Sequence, residues 1–243
     1  MDKMKFTPEI EKETAAVSAK LKGIIPEEEW PLHAPYIAGI NRLKKERNAV
    51  IVAHNYQTPE IYHGVADLVG DSLAMARMAA ETDADVLLIA GVHFMAETAK
   101  LLNPDKKVLI PDPGAGCSLA ESITPEDVRM MRSSHPGIPV VTYVNTSAAV
   151  KAETDICCTS ANAVKIVNSL DSDKVIFLPD EHLGRYVASR TDKELILWMG
   201  SCEVHRLFKP EEIRDLRRKY EGVKVIAHPE CPMDVLDLSL IHI

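Results

Sequence analysis

Two cysteines occupy glycine-containing loops that directly follow apolar, strand-length runs. Cys117 closes Pro111-Asp112-Pro113-Gly114-Ala115-Gly116, and Cys202 follows Trp198-Met199-Gly200-Ser201. Pro and Gly make tight, backbone-exposed loops in which a thiol can face a cavity. A lone cysteine reads as a buried structural thiol, but these two lie at matching places, 85 residues apart. One thiolate from each of three similar units, converging on a pseudo-threefold axis, could hold three irons of a four-iron cluster. The fourth iron would stay open and could act as a Lewis acid. Zinc is the other metal reading, and no Cys-x-x-Cys pair or histidine knuckle supports it. Cys157 and Cys158 are adjacent, so their side chains diverge; both read as core or helix-start residues.

Three polar clusters also follow apolar β-branched runs: His54-Asn55-Tyr56, Tyr143-Val144-Asn145 and His228-Pro229-Glu230. His54 and Tyr56 can donate to a carboxylate or move protons. Tyr143 and Asn145, two apart at a strand end, point to one side, as do His228 and Glu230. Glu230 is a candidate general base. A single strand-end histidine is ordinarily a structural hydrogen-bonding group; three clusters at equivalent positions favour function. Ser72 beside Asp71, and Ser160 beside Thr159, stand where helices begin. Such hydroxyls either cap the helix or help bind an anion at its N-terminus.

The elements that position these groups repeat. The three apolar runs are Ala49–Ala53, Pro139–Thr142 and Val223–Ala227, and the residues after them, His54, Tyr143 and His228, are offset by 89 and then 85. Within the first two units the order continues in parallel. Gly70-Asp71-Ser72 and Cys158–Ala163 open helices, and the Ala- and Met-rich stripe Ala74–Ala80 reads as helix packing. Strands follow over Asp85–Ala90 and Lys174–Leu178, with His93 and His182 shortly after. Strands Lys107–Ile110 and Glu194–Trp198 then lead to the cysteines. Short apolar runs alternating with amphipathic helices predict an α/β fold of repeated three-layer αβα units with short parallel sheets, in a pseudo-threefold arrangement with the third unit largely missing. Ligands gather at the carboxyl ends of such strands.

The boundaries are a helical lead-in over 1–48, a first repeat over 49–138, a second over 139–222, and the start of a third over 223–243. In the lead-in, Thr7 is an N-cap with Pro8 at the first helical position, and Ile37–Lys45 is amphipathic. The period places a third cysteine near position 287, beyond the 243 residues, and the ending Leu238–Ile243 reads as a non-native tail of a truncated frame.

With 28 Lys and Arg against 36 Asp and Glu, the net charge is −8, which argues against a nucleic-acid surface. Arg214–Lys219 reads as the solvated face of a helix. Apolar residues make up 46% of the chain, as in a globular protein. Met1–Lys12 carries no apolar signal core, and no run is long enough to span a bilayer. The chain is read as cytosolic, with no membrane partner, and its five cysteines as metal or catalytic rather than disulfide chemistry.

Together, His54-Asn55-Tyr56, Gly70-Asp71-Ser72-Leu73, Gly91-Val92-His93-Phe94-Met95-Ala96-Glu97-Thr98-Ala99-Lys100, Tyr143-Val144-Asn145-Thr146, Cys158–Ala163 and His228-Pro229-Glu230-Cys231 closely resemble the quinolinate synthase A family. The likeness runs from about residue 35 to residue 233. It implies three similar α/β domains with the active site at their junction, and a [4Fe-4S] cluster held by one cysteine from each. Cys117 and Cys202 match the first two ligands; Cys231 matches a cysteine beside the pocket. It further implies a transferase that condenses iminoaspartate with dihydroxyacetone phosphate, releasing phosphate and two waters to form quinolinate for NAD biosynthesis. The imine would come from an aspartate oxidase or dehydrogenase. His54, Tyr56, Ser72, Tyr143, Asn145, Ser160, His228 and Glu230 match pocket positions, with Tyr56, His228 and Glu230 as the catalytic set. Two alternatives stand beside this: an inactive fragment of such an enzyme, and a cluster-binding electron-transfer protein, which would call for closely spaced Cys-x-x-Cys pairs.

Overall fold

Thr7 ends an extended lead-in and its side chain accepts from the Ile10 amide, so α1 (Pro8–Leu21) begins with Pro8 as the spacing predicts. The structure is a computed structural model that describes residues 4–241, without the side chains of Ser72, Leu73, Ala76 and Ile241. The chain divides into two compact units, 1–115 and 116–243.

In the first unit α1 and α2 (Trp30–Glu46) precede β1 (Ala49–His54), α3 (Pro59–Tyr62), β2 (Leu68–Gly70), α4 (Ser72–Glu81), β3 (Val86–Ala90), α5 (His93–Leu102) and β4 (Lys107–Leu109). The four strands form one parallel sheet in the order β2-β1-β3-β4. Ile37 of α2 packs on Ile51, Ala53, Val65 and Ala90, which accounts for its apolar face. Met75 and Ala79 are buried, in keeping with a packing role for the Ala and Met stripe.

The second unit holds a short 3-10 turn, Ala120–Ser122, then α6 (Pro125–Ser134), β5 (Val140–Tyr143), α7 (Ala148–Ala152), β6 (Ile156–Cys158), α8 (Ala163–Ser169), β7 (Lys174–Leu178), α9 (Glu181–Ala188) and β8 (Glu194–Leu197). Its parallel sheet runs β6-β5-β7-β8, the same order as the first. Thus β5 to β8 repeat β1 to β4. After them come α10 (Glu203–Arg206), α11 (Pro210–Lys219), β9 (Ile226–Ala227), α12 (Met233–Leu236) and β10 (Leu240–Ile241), with β10 parallel to β9. Only Ile213 of α11 is buried, so its basic residues form a solvated face.

The repeat extends to individual hydrogen bonds at the amino ends of the strands. Asp67 Oδ2 accepts from the Ile51 amide at 2.9 Å while Oδ1 meets Lys44 Nζ at 2.7 Å. Asp155 Oδ2 accepts from the Val140 amide at 2.7 Å while its other oxygen meets Arg132 at 2.8 Å. The acidic residues and their basic partners are offset by 88 positions, and the amide partners Ile51 and Val140 by 89. Lys106 Nζ donates to the carbonyls of Ala79 and Thr82, and Lys193 Nζ donates to those of Leu170 and Ser172.

Three expectations need correction. Each sheet has four strands rather than three, because β2 and β6 are three-residue edge strands too short to show a period. Cys157 and Cys158 do not start a helix: they end β6, where Cys158 is a core residue, as one of the two readings had it, and Cys157 is exposed. The third apolar run is extended only at Ile226–Ala227, since a two-stranded pairing with β10 supports no more. Among the described residues, no helix is long and apolar enough to cross a membrane.

Candidate functional site

The second unit gathers most of the candidate residues around the carboxyl ends of its strands. Tyr143 ends β5 and is buried, as is Glu230 after β9. Their side chains hydrogen-bond, the Tyr143 hydroxyl donating to the carboxylate. Burial, and then the Glu230 charge, push the Tyr143 phenol well above its ordinary range, which keeps it protonated as a donor.

Burial alone would raise the Glu230 carboxyl. Hydrogen bonding and charge from His205, with smaller contributions from His228 and Tyr143, outweigh it and hold the acid below its usual value. His205 Nδ1 lies 2.8 Å from Glu230 Oε2. Burial works against the His205 cation, but the Cys202 thiol and the Glu230 carboxylate push it up to about 10. The contact is therefore an ion pair over the acid's physiological range. It lies off the direction of a regular hydrogen bond, so Nδ1 is a buried nitrogen without a hydrogen-bond acceptor.

His228 bridges the segment after β9 to the loop after β6. The Glu230 amide donates to its Nδ1 at 3.3 Å, which leaves the neutral ring protonated at Nε2, 3.1 Å from Ser160 Oγ. Ser160 thus accepts from His228 and keeps its own hydroxyl proton to donate. It does not cap α8: Asn162 occupies that position, and its Oδ1 accepts from the Thr159 amide at 2.7 Å. The His205 and His228 rings stack with centroids 5.1 Å apart. Asn145 leaves a buried Oδ1 without a donor.

The two cysteine loops are tied to one another. Trp198 Nε1 donates to the Ser122 carbonyl at 3.0 Å, joining the Cys202 loop to the turn that follows Cys117. Gly200 sits so close to Ser122 and Pro179 that a Cβ would collide with Ser122 Oγ and the Pro179 carbonyl. Asp180 holds the same loop from below. Its Oδ1 caps α9 through the Leu183 amide at 2.6 Å, and its Oδ2 accepts from the Cys202 amide at 3.3 Å. Asp180 is fully buried, and burial followed by the Glu230 charge pushes it up to about 7. Cys117 and Cys202 are part-buried and pack on one core with the buried Cys231. Burial raises the Cys117 thiol, with a smaller contribution from the nearby Cys202.

The first unit carries the remaining candidates. The His54 ring lies 4.0 Å, centroid to centroid, from that of Tyr56, and its Nδ1 accepts from the Tyr56 amide at 3.3 Å. Tyr56 is half exposed, with its hydroxyl 3.8 Å from Met95 Sδ. Burial lowers the His54 imidazole against an opposing pull from Asp71. The Ser72 side chain lies outside the described residues, whereas Asp71 Oδ1 accepts from the Ala74 amide at 2.9 Å and so takes the capping role.

Two cavities lie elsewhere. One of about 510 Å³ is lined by Glu13, Asn41, Lys44 and Asp67. The other, about 280 Å³, is lined by Arg132, His135, Gly137 and Asp155. Both sit at amino ends of strands, where each is bordered by the repeated acid–base pair, away from the cysteines.

Sequence reasoning did not single out His205 or Asp180. The spacing Cys202-x-x-His205 was a signal for the first. An acid directly after a strand and before a helix, as in Leu178-Pro179-Asp180, was a signal for the second.

Comparison with known proteins adds the family. The profile described as NadA, quinolinate synthetase A protein, matches residues 38–242. A quinolinate synthase of Agrobacterium fabrum is 60% identical over 225 residues, covering 93% of this chain and 65% of that protein. The quinolinate synthase of Sinorhizobium fredii is 58% identical over 233 residues, covering 96% of this chain and 65% of its own length. That of Xylella fastidiosa is 66% identical over 200 residues, covering 82% of this chain and 59% of its own. The chain therefore spans a little under two thirds of the length of these relatives.

Proposed function

Because the chain belongs to the quinolinate synthetase A family, we propose that it is the larger part of a quinolinate synthase. The reaction joins iminoaspartate to dihydroxyacetone phosphate and releases phosphate and two waters as the pyridine ring of quinolinate closes. The observation that carries this reading is the linked group Tyr143, Glu230, His228 and Ser160, set beside two cysteine loops fastened to each other.

The thiols fit an iron–sulfur group in their chemistry. Cys117 and Cys202 are part-buried, sit in loops after strands, and are close enough for Cys202 to bear on the ionisation of Cys117. The orphaned His205 Nδ1 marks buried polar space beside Cys202 that asks for a ligand. Cys117 and Cys202 would supply two of the three thiolates that hold a [4Fe-4S] cluster, which when bound supplies Lewis acidity toward a substrate oxygen.

The protein's own groups supply the rest. Glu230, held ionised, takes a proton from a carbon next to the imine or carbonyl during isomerisation and ring closure. Tyr143 holds that carboxylate in place through its hydroxyl and returns a proton path to it. Ser160, its hydroxyl hydrogen freed by His228, donates to a substrate carboxylate or phosphate oxygen. Asn145 Oδ1 accepts from a substrate N–H or O–H. His54, Tyr56 and Ser72 remain substrate-binding candidates of the first unit, with Tyr56 also able to carry a proton. An aspartate oxidase or dehydrogenase would supply the unstable imine.

The test is quinolinate formation by the anaerobically reconstituted chain, followed by mass spectrometry. Glu230→Gln is expected to abolish product while leaving bound iron unchanged. Full product formation by that variant would overturn the role of Glu230, and its absence from a cluster-loaded wild-type chain would mean that this chain alone does not catalyse the reaction.

A further inference from the structure

Cys202, His205 and Glu230 form a second donor set, distinct from the all-thiolate set assigned to the cluster. Cys202 stands at the N-cap of α10, and His205 lies three residues on, one helical turn away and on the same side. Glu230 comes from the segment after β9 and is only 3% exposed. One ligand atom from each of the three lies within 4.8 Å of the other two.

Around a tetrahedral zinc ion, bonds of about 2.0 to 2.3 Å put neighbouring donors roughly 3.2 to 3.8 Å apart. The observed set therefore needs only small side-chain adjustments, such as opening the 2.8 Å separation between His205 Nδ1 and Glu230 Oε2. That short, misdirected contact leaves Nδ1 without a hydrogen bond, as a ligand atom would be before its ion arrives. Around the set, neighbouring groups orient the donors as outer-shell partners do. Asp180 accepts from the Cys202 amide, Tyr143 donates to the Glu230 carboxylate, and the His228 ring stacks on His205. One sulfur, one nitrogen and one oxygen, with a fourth position open, suit zinc or cobalt(II) and not magnesium or calcium.

We propose that in the cluster-free chain Cys202, His205 and Glu230 bind one divalent transition-metal ion of the zinc class. Because Cys202 is also assigned to the cluster, zinc loading and cluster assembly exclude each other. The ion site itself needs no cluster and no catalysis.

The metal-free, reduced chain would be titrated anaerobically with cobalt(II) and then with zinc(II). One cobalt per chain is expected, with the visible bands of a tetrahedral ion and a near-ultraviolet thiolate-to-cobalt charge-transfer band, both removed by zinc. Cys202→Ser should lose the charge-transfer band, and His205→Gln should weaken binding by at least about tenfold. Cys117→Ser and Cys231→Ser should leave stoichiometry and spectrum unchanged. Absence of the charge-transfer band in the wild-type chain overturns the proposal without recourse to any variant. So does its survival in Cys202→Ser, or its loss in Cys117→Ser, which would point to a thiolate pair instead. Failure of the wild-type chain to bind iron and sulfide would bear on the cluster alone.

Discussion

Trp198 Nε1 donates to the Ser122 carbonyl at 3.0 Å across 76 positions of sequence, and this bond fastens the loop of Cys202 to the turn after Cys117. The loops of two cysteines meant to share one group are thereby tied together through an indole. Trp198→Phe keeps the ring's packing and removes the donor, leaving a carbonyl unsatisfied. We expect a loss of about 1 kcal/mol in denaturant unfolding and slower uptake of iron during reconstitution. Unchanged stability and uptake would show that the two loops are held by other contacts.

Gly200 makes the same point by steric means. A methyl group there meets the Pro179 carbonyl, which is fixed backbone, as well as Ser122 Oγ. Gly200→Ala should cost about 1 to 3 kcal/mol, the ordinary penalty of overpacking, and should displace Cys202 with it. Thermal unfolding measures the first effect and metal content the second.

Asp180 gives a pH signature. Its folded value, raised to about 7 from 3.8, means that the folded chain binds this proton more tightly than the unfolded chain. Its contribution is fully present below the unfolded value and is lost as pH rises through the folded one. Between about pH 4 and pH 7 the wild-type chain should therefore lose stability, by at most about 4 kcal/mol from this group. Asp180→Asn keeps an oxygen for the Leu183 amide and should flatten that slope in urea unfolding curves. A slope identical to wild type would show that Asp180 is ionised throughout.

The His205–Glu230 pair behaves differently. Glu230, lowered on folding from 4.5, contributes stability above that value and loses it as pH falls through its folded value. His205, raised from 6.5 to about 10, contributes fully below the former and loses its contribution as pH rises through the latter. His205→Gln leaves a buried carboxylate without its cation and should cost about 3 kcal/mol near neutral pH. The difference from wild type should shrink as pH approaches about 10. A difference that stays constant over this range would mean that the pair is not ionic.

The main architecture was legible because parallel strands buried on both faces read as apolar runs, as in Lys174–Leu178, which is β7 residue for residue. The doubling was legible because matching loops demand matching residues, and the Asp67 and Asp155 brackets show how far that matching goes. The edge strands β2 and β6 were not, since three residues carry no period and Gly70 belongs as readily to a turn. In the site, residues at strand ends were found because strand ends are where apolar runs stop. His205 was harder: its significance comes from Glu230, which is 25 positions away in sequence and reaches it only through the fold. Asp180 hid for a related reason, since a helix-capping acid is commonplace until its second oxygen is seen on the Cys202 amide.

The central claim is that Cys117 and Cys202 hold an iron–sulfur group together. Its most direct test is iron and acid-labile sulfide content of this chain after anaerobic reconstitution, set against Cys117→Ser and Cys202→Ser. The account predicts iron and sulfide in equal amounts in the wild-type chain and loss of both in either variant. A wild-type chain that retains neither, or a variant that retains both, would contradict it.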